Sequence, residues 1–133
     1  MRIGALAAAV GTTVRTVRYW EELGLLTGER SAGGHREYSD ADVERLREML
    51  RLKHLLGLSL DELRAVMAGE DARARRRAAW ATVEDPAERR RILAEAGAHV
   101  ESLLELVGRH RAELEAFEAE LLGRRARIAE LVE

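Results

Sequence analysis

The chain has 133 residues, no cysteine, a single proline and 35% charged side chains, with a formal net charge of −2. Without cysteine there is no disulfide, thiolate metal site or cysteine nucleophile; with no long apolar run and no signal-peptide pattern after Met1, a soluble, cytoplasmic protein that does not engage a membrane is expected. Residues 1–69 hold ten basic and ten acidic side chains, so any nucleic-acid contact must rest on placed residues rather than on bulk charge.

The composition, rich in Ala, Leu, Arg and Glu with only 4% aromatics, favours long helices and coiled coils over sheets. Ile3–Val10 reads as a short Ala-rich helix, and Gly11 follows where a sharp turn needs a permissive backbone. Thr13 offers a hydroxyl N-cap for a second helix, Val14–Leu23, which Gly24 ends. Two short helices joined by a Gly-containing turn form the helix-turn-helix pattern. At about 100° per residue, Val17 and Trp20 share the middle of one side of the second helix, with Val14 and Leu23 at its edges. Arg15, Arg18, Tyr19 and Glu22 cluster opposite, free to meet something outside.

Next, Gly33-Gly34 sit between two short polar segments, as in a β-hairpin loop, flanked by Arg30, His35 and Arg36. Ser39 with Asp42 opens a helix to about Leu56 with a capping-box pattern; Val43, Leu46, Leu50 and Leu56 give it an apolar stripe. Gly57 breaks it, and Ser59 with Glu62 caps a further short helix, Leu60–Met67. The first domain is thus expected to span residues 1–69, followed by a partly helical connection over 70–85. Asp85, Pro86 and Glu88 supply N-cap, N1 proline and N3 acid for a last helix over 86–133. With Val100 as heptad position a, Val107, Leu114, Leu121 and Ile128 also fall at a. The d positions are Leu103, His110, Phe117, Arg124 and Leu131, a coiled-coil pattern that needs a partner helix, most simply from a second copy.

The residues "RIGALAAAVGTTVRTVRYWEELGLL…GGHREYSDADVERLR…LLGLSLDELRAVM" resemble the DNA-binding domain of the MerR family of bacterial transcription regulators, over roughly the first half of the chain. The resemblance implies a mainly α fold. A winged helix-turn-helix domain with a small β-hairpin wing precedes a long C-terminal helix, which forms an antiparallel coiled-coil homodimer. It implies binding of double-stranded DNA at a pseudo-palindromic operator. The promoter's overlong spacer is distorted so that RNA polymerase engages it, which is indirect readout used as a switch. Carried over by position, Arg15, Thr16, Arg18 and Tyr19 face the major groove, with Thr13 at the start of that helix. Arg30, His35, Arg36 and Tyr38 belong to the wing. Trp20 and His35 stand where the family pattern usually has Tyr. Metal-sensing relatives place cysteines near the end of the dimer helix, and drug-sensing relatives append a ligand domain. The simplest expectation is therefore a regulator with no cofactor, no metal and no conventional effector domain, a small pocket within residues 70–97 being the alternative.

His99 and His110 lie on adjacent sides of one helix without a third ligand, which fits tolerated polar residues better than a metal site. Arg73–Arg77 reads as a solvated run flanked by acids, and Trp80 as a packing anchor. No carboxylate pair, nucleophile or phosphate loop stands in a catalytic arrangement, so an enzyme is not expected. The competing readings are an architectural, excisionase-like DNA-bending protein and a coiled-coil adaptor without DNA binding.

Overall fold

The computed structural model describes residues 1–132; Glu133, the last residue of the expected dimer helix, lies outside them. The elements are α1 (Ile3–Val10), α2 (Val14–Glu22), β1 (Glu29–Arg30), β2 (Arg36–Glu37), α3 (Asp40–Leu56), α4 (Leu60–Trp80) and α5 (Pro86–Val132). Two compact units divide at Ala68/Gly69.

In the first unit, α1 ends at Gly11, whose φ of 74° lies in the left-handed region that costs other residues strain. The Thr12 N–H then donates to the Ala7 carbonyl at 3.0 Å, closing the turn. α2 starts where the Thr13 hydroxyl accepts from the Thr16 N–H at 3.1 Å. Its inward side is Val17 and Trp20, both buried, as the periodicity predicts. β1 and β2 pair antiparallel with Glu29 opposite Glu37 and Arg30 opposite Arg36. The hairpin is closed by the Ser31 N–H donating to the His35 carbonyl and the Gly34 N–H to the Ser31 carbonyl.

α3 opens with a full capping box, the Ser39 hydroxyl accepting from the Asp42 N–H and the Asp42 carboxylate from the Ser39 N–H. Its buried residues are Val43, Leu46, Met49, Leu52 and Leu56. The expected stripe is thereby corrected: Met49 and Leu52 join it, while Leu50 is only half-buried. From Val43 to Leu52 the buried positions step by three, which carries the buried face about 180° around the helix at 100° per residue. Leu46, Met49, Leu6 and Leu63 are wholly enclosed; each such side chain contributes roughly 2–3 kcal/mol relative to exposure. The Ser59 hydroxyl and Glu62 carboxylate cap the start of α4 reciprocally.

The expected short helix Leu60–Met67 is a correction too. α4 continues without a break to Trp80, because Ala and Arg are among the best helix formers and a single Gly69 costs only about 1 kcal/mol. In the second unit, a turn over residues 81–85 leads to α5, where the Asp85 carboxylate accepts from the Ala87 N–H at 3.1 Å and Pro86 takes the first helical position. Trp80, expected as a packing anchor, is 39% exposed, with the Arg89 guanidinium 5.2 Å from its ring centroid. Ile92 is the buried residue of α5. Val100, Val107, Leu114, Leu121 and Ile128 lie between 36% and 62% exposed, an apolar seam open from Val100 to Ile128 within the 47-residue helix.

Candidate nucleic-acid interface

The outward side of α2 presents Arg15, Arg18 and Tyr19, and Tyr19 is 46% exposed despite its ring. Neither arginine forms an ion pair with another described residue, whereas arginines elsewhere pair freely: Arg47 with Glu44, Arg51 with Glu48, Arg91 with Glu95. Thr16 is half-buried, and the Thr13 hydroxyl donates to its oxygen at 3.0 Å. Thr13 and Thr16 thus spend part of their hydrogen-bonding capacity on fixing the start of the helix.

On one flank, these α2 residues line a groove of about 1450 Å³ together with Leu50, Lys53 and His54 of α3 and Leu58 and Leu60 beyond it. Lys53 and His54 are therefore brought beside Arg15 and Arg18, which the sequence reading missed. The available signal was a basic pair in the last turn of α3, just ahead of Gly57.

On the other flank, Arg18 shares a cleft of about 580 Å³ with Arg2, His35, Arg36, Glu21 and Tyr38. The wing is fastened here. Glu21 of α2 accepts from the Tyr38 hydroxyl, and its other oxygen lies 2.7 Å from Arg36 Nη1. The Met1 ammonium donates to the Tyr38 carbonyl at 2.7 Å and lies 3.4 Å from Glu37. Tyr38 is consequently a correction. Expected at the DNA, it is only 3% exposed and its hydroxyl is committed to Glu21. Burial, and then the carboxylate beside it, push that phenol up to about 12. Arg36 remains on the surface, held in place by Glu21. Arg30 donates through Nη1 to the Gly34 carbonyl at 3.1 Å, bracing the hairpin loop, while His35 stays exposed. Glu21 and Arg2 were not foreseen as parts of this face. Nothing local marked Glu21 apart from its neighbour Glu22, because its partners lie 15 and 17 residues away.

Among the described residues no group of three or more His, Asp or Glu side chains could hold a metal ion, and no helix is long and apolar enough to cross a membrane.

A helix pair with a tight glycine turn, a short hairpin clamped to its second helix and a long following helix define a winged helix-turn-helix protein. The family described as MerR HTH family regulatory protein matches residues 1–70, and the chain belongs to that family. Over its full length it is 30% identical to the HTH-type transcriptional regulator YfmP of Bacillus subtilis, covering 96% of that protein. It is 46% identical over 66 residues to the HTH-type transcriptional activator TipA of Streptomyces coelicolor, which is 49% of this chain and 26% of TipA. The chain spans about a quarter to a third of the length of the TipA and NolA proteins it matches. Among solved structures, a transcription regulator of Ralstonia metallidurans in complex with lead(II) superposes with a TM-score of 0.54 at 29% identity, over 94% of this chain and 85% of the other.

Proposed function

We propose that this chain is a sequence-specific, DNA-binding transcription regulator that works as a homodimer and distorts a promoter with an overlong spacer. The observation that carries the reading is the α2 face. Arg15 and Arg18 stand unpaired beside exposed Tyr19, between the groove with Lys53 and His54 and the cleft with His35 and Arg36. A helix of this kind enters the major groove, where arginine grips guanine through two parallel hydrogen bonds, while neighbouring cations hold phosphate and set the register. In this reading Arg15, Thr16, Arg18 and Tyr19 face the bases or the adjoining backbone, with Thr13 at the helix start. Arg2, Arg30, Arg36 and Lys53 neutralise phosphates on either side, and His35 and His54 can donate a ring N–H to them. Tyr38 and Glu21 are positioning residues that hold Arg36. The exposed seam of α5 pairs with that of a second copy, giving the two-fold symmetry that a pseudo-palindromic operator requires. Bending DNA costs energy that wrapping contacts offset, and RNA polymerase is engaged through the reshaped promoter. The protein acts in the cytoplasm and catalyses no reaction.

The test combines footprinting upstream of the chain's own gene with affinities of Arg15→Ala and Arg18→Ala. Protection centred on a long promoter spacer is expected. Each substitution is expected to weaken specific binding by about 1–3 kcal/mol if it reads a base, or to lower the salt slope by about one if it holds phosphate. Unchanged affinity in both variants sinks the reading in favour of an adaptor, and protection confined to recombination sites favours an architectural protein.

A further inference from the structure

Ala72, Arg76 and Ala79 follow one another at i, i+4 and i+7 along α4, and Glu88, Ile92 and Glu95 do the same along α5. Each row therefore lies on one face of its helix. Together with Arg75 and Arg91 they line a cleft of about 240 Å³. The two alanines leave the space, and Ile92 is the buried apolar residue at its wall. Two carboxylates face Arg76 across the cleft, yet both are engaged by Arg91. Its Nη1 lies 2.8 Å from Glu95, and it also pairs with Glu88, whose carboxyl it holds below the usual carboxylate range.

Arg76 is thus left without an acceptor. Its Nε and Nη2 atoms are closed off from water and have no hydrogen-bond partner. These two N–H groups form one edge of the guanidinium, the edge that a carboxylate or phosphate grips through two parallel bonds. A buried donor with no acceptor loses its hydration and gains nothing in return. In a run expected to be plain solvated charge, Arg76 is the exception.

We propose that the α4–α5 cleft is a binding site for a compact oxyanion, the phosphate or carboxylate group of a small molecule. The Arg76 guanidinium holds it, the ligand displacing the side chains that close the Nε–Nη2 edge off from water, and Arg75 supplies a second positive charge at the rim. The ligand provides the acceptors that the Arg91–Glu88–Glu95 cluster withholds. Because α4 also carries Leu63, Val66 and Met67 into the core of the first unit, the site lies on the same uninterrupted helix as that core. The assignment uses no residue of the DNA-facing surface and stands apart from the DNA-binding reading.

The test is calorimetric titration of the full chain with inorganic phosphate and, separately, with acetate and succinate, against chloride at matched ionic strength. Saturable binding of at least one oxyanion is expected, and which arm responds identifies the group. Arg76→Met is expected to weaken it by about tenfold or more, the loss of a bidentate charge-assisted contact. Arg91→Gln is expected to weaken it comparably by freeing Glu88 and Glu95 to satisfy Arg76. Exposed Arg77, which does not line the cleft, serves as the control: Arg77→Met leaves binding unchanged. Circular dichroism checks folding, and if Arg76→Met does not fold, Arg91→Gln decides. DNA affinity measured on the same preparations keeps the two readings separable, since Arg15→Ala should leave oxyanion binding intact. No saturable binding above the chloride control overturns the proposal, as does binding retained in either cleft variant that folds. Weakened self-association of Arg76→Met without oxyanion binding by the parent chain also overturns it, and assigns the missing acceptor to a carboxylate of a second copy.

Discussion

Glu21 receives two donors from the wing, the Tyr38 hydroxyl and the Arg36 guanidinium, and so converts a hairpin of two-residue strands into a fixed extension of α2. This has a measurable acid–base consequence. The phenol of Tyr38 is raised from 10.0 to about 12, with burial the first cause and Glu21 the second. Its protonated form is therefore favoured in the folded state. The associated stability is fully present below pH 10 and is lost as pH rises from about 10 through 12, where the folded state binds more protons than the unfolded one. Chemical denaturation across pH 9–12 should show stability falling by about 2 kcal/mol over that window. Tyr38→Phe should flatten that part of the profile and cost about 1 kcal/mol at neutral pH through the lost hydrogen bond. An unchanged slope in the variant would reject the assignment. At this scale the sequence was legible where neighbours are local: Val17 and Trp20 declare their side through helical periodicity. It was illegible for Tyr38, because strands of two residues offer no alternation from which to phase inward and outward positions.

The starts of α2, α3 and α4 were readable because their chemistry is confined to a few consecutive residues: Thr13 with Thr16, Ser39 with Asp42, Ser59 with Glu62. The full reach of α4 was not, since what continues a helix past Met67 is the absence of any breaker rather than a positive signal. Gly69 within that helix has a spatial reason: a Cβ there would run into the imidazole ring of His99, whose Nε2 also lies 3.5 Å from Glu70. Gly→Ala inside a helix ordinarily stabilises by roughly 1 kcal/mol. Here Gly69→Ala is expected to lower the melting temperature instead, and adding His99→Ala should reverse the sign. A stabilising single substitution, read by calorimetry, would show that the helices accommodate the methyl group freely.

At the scale of the whole molecule, α5 exposes a heptad seam that a single copy leaves uncovered, from Val100 to Ile128. Five apolar a positions made this seam plain in sequence, as did the Asp85-Pro86 start; only a partner of the right register completes it. Leu114→Glu, in mid-seam, should yield a monomer by sedimentation equilibrium and weaken operator binding, since a single copy engages only one half-site. A Leu114→Glu variant that remains dimeric at micromolar concentration would place self-association elsewhere. The two tryptophans fall one to each compact unit: Trp20 enclosed behind the α2 face, and Trp80 half in water under Arg89 at the end of α4. They differ in polarity of surroundings, so their fluorescence should separate into a blue and a red component. A single Trp→Phe replacement turns the chain into a reporter of one unit alone. DNA arriving at α2 would then be seen by Trp20, and an anion arriving between α4 and α5 by Trp80, each without a label.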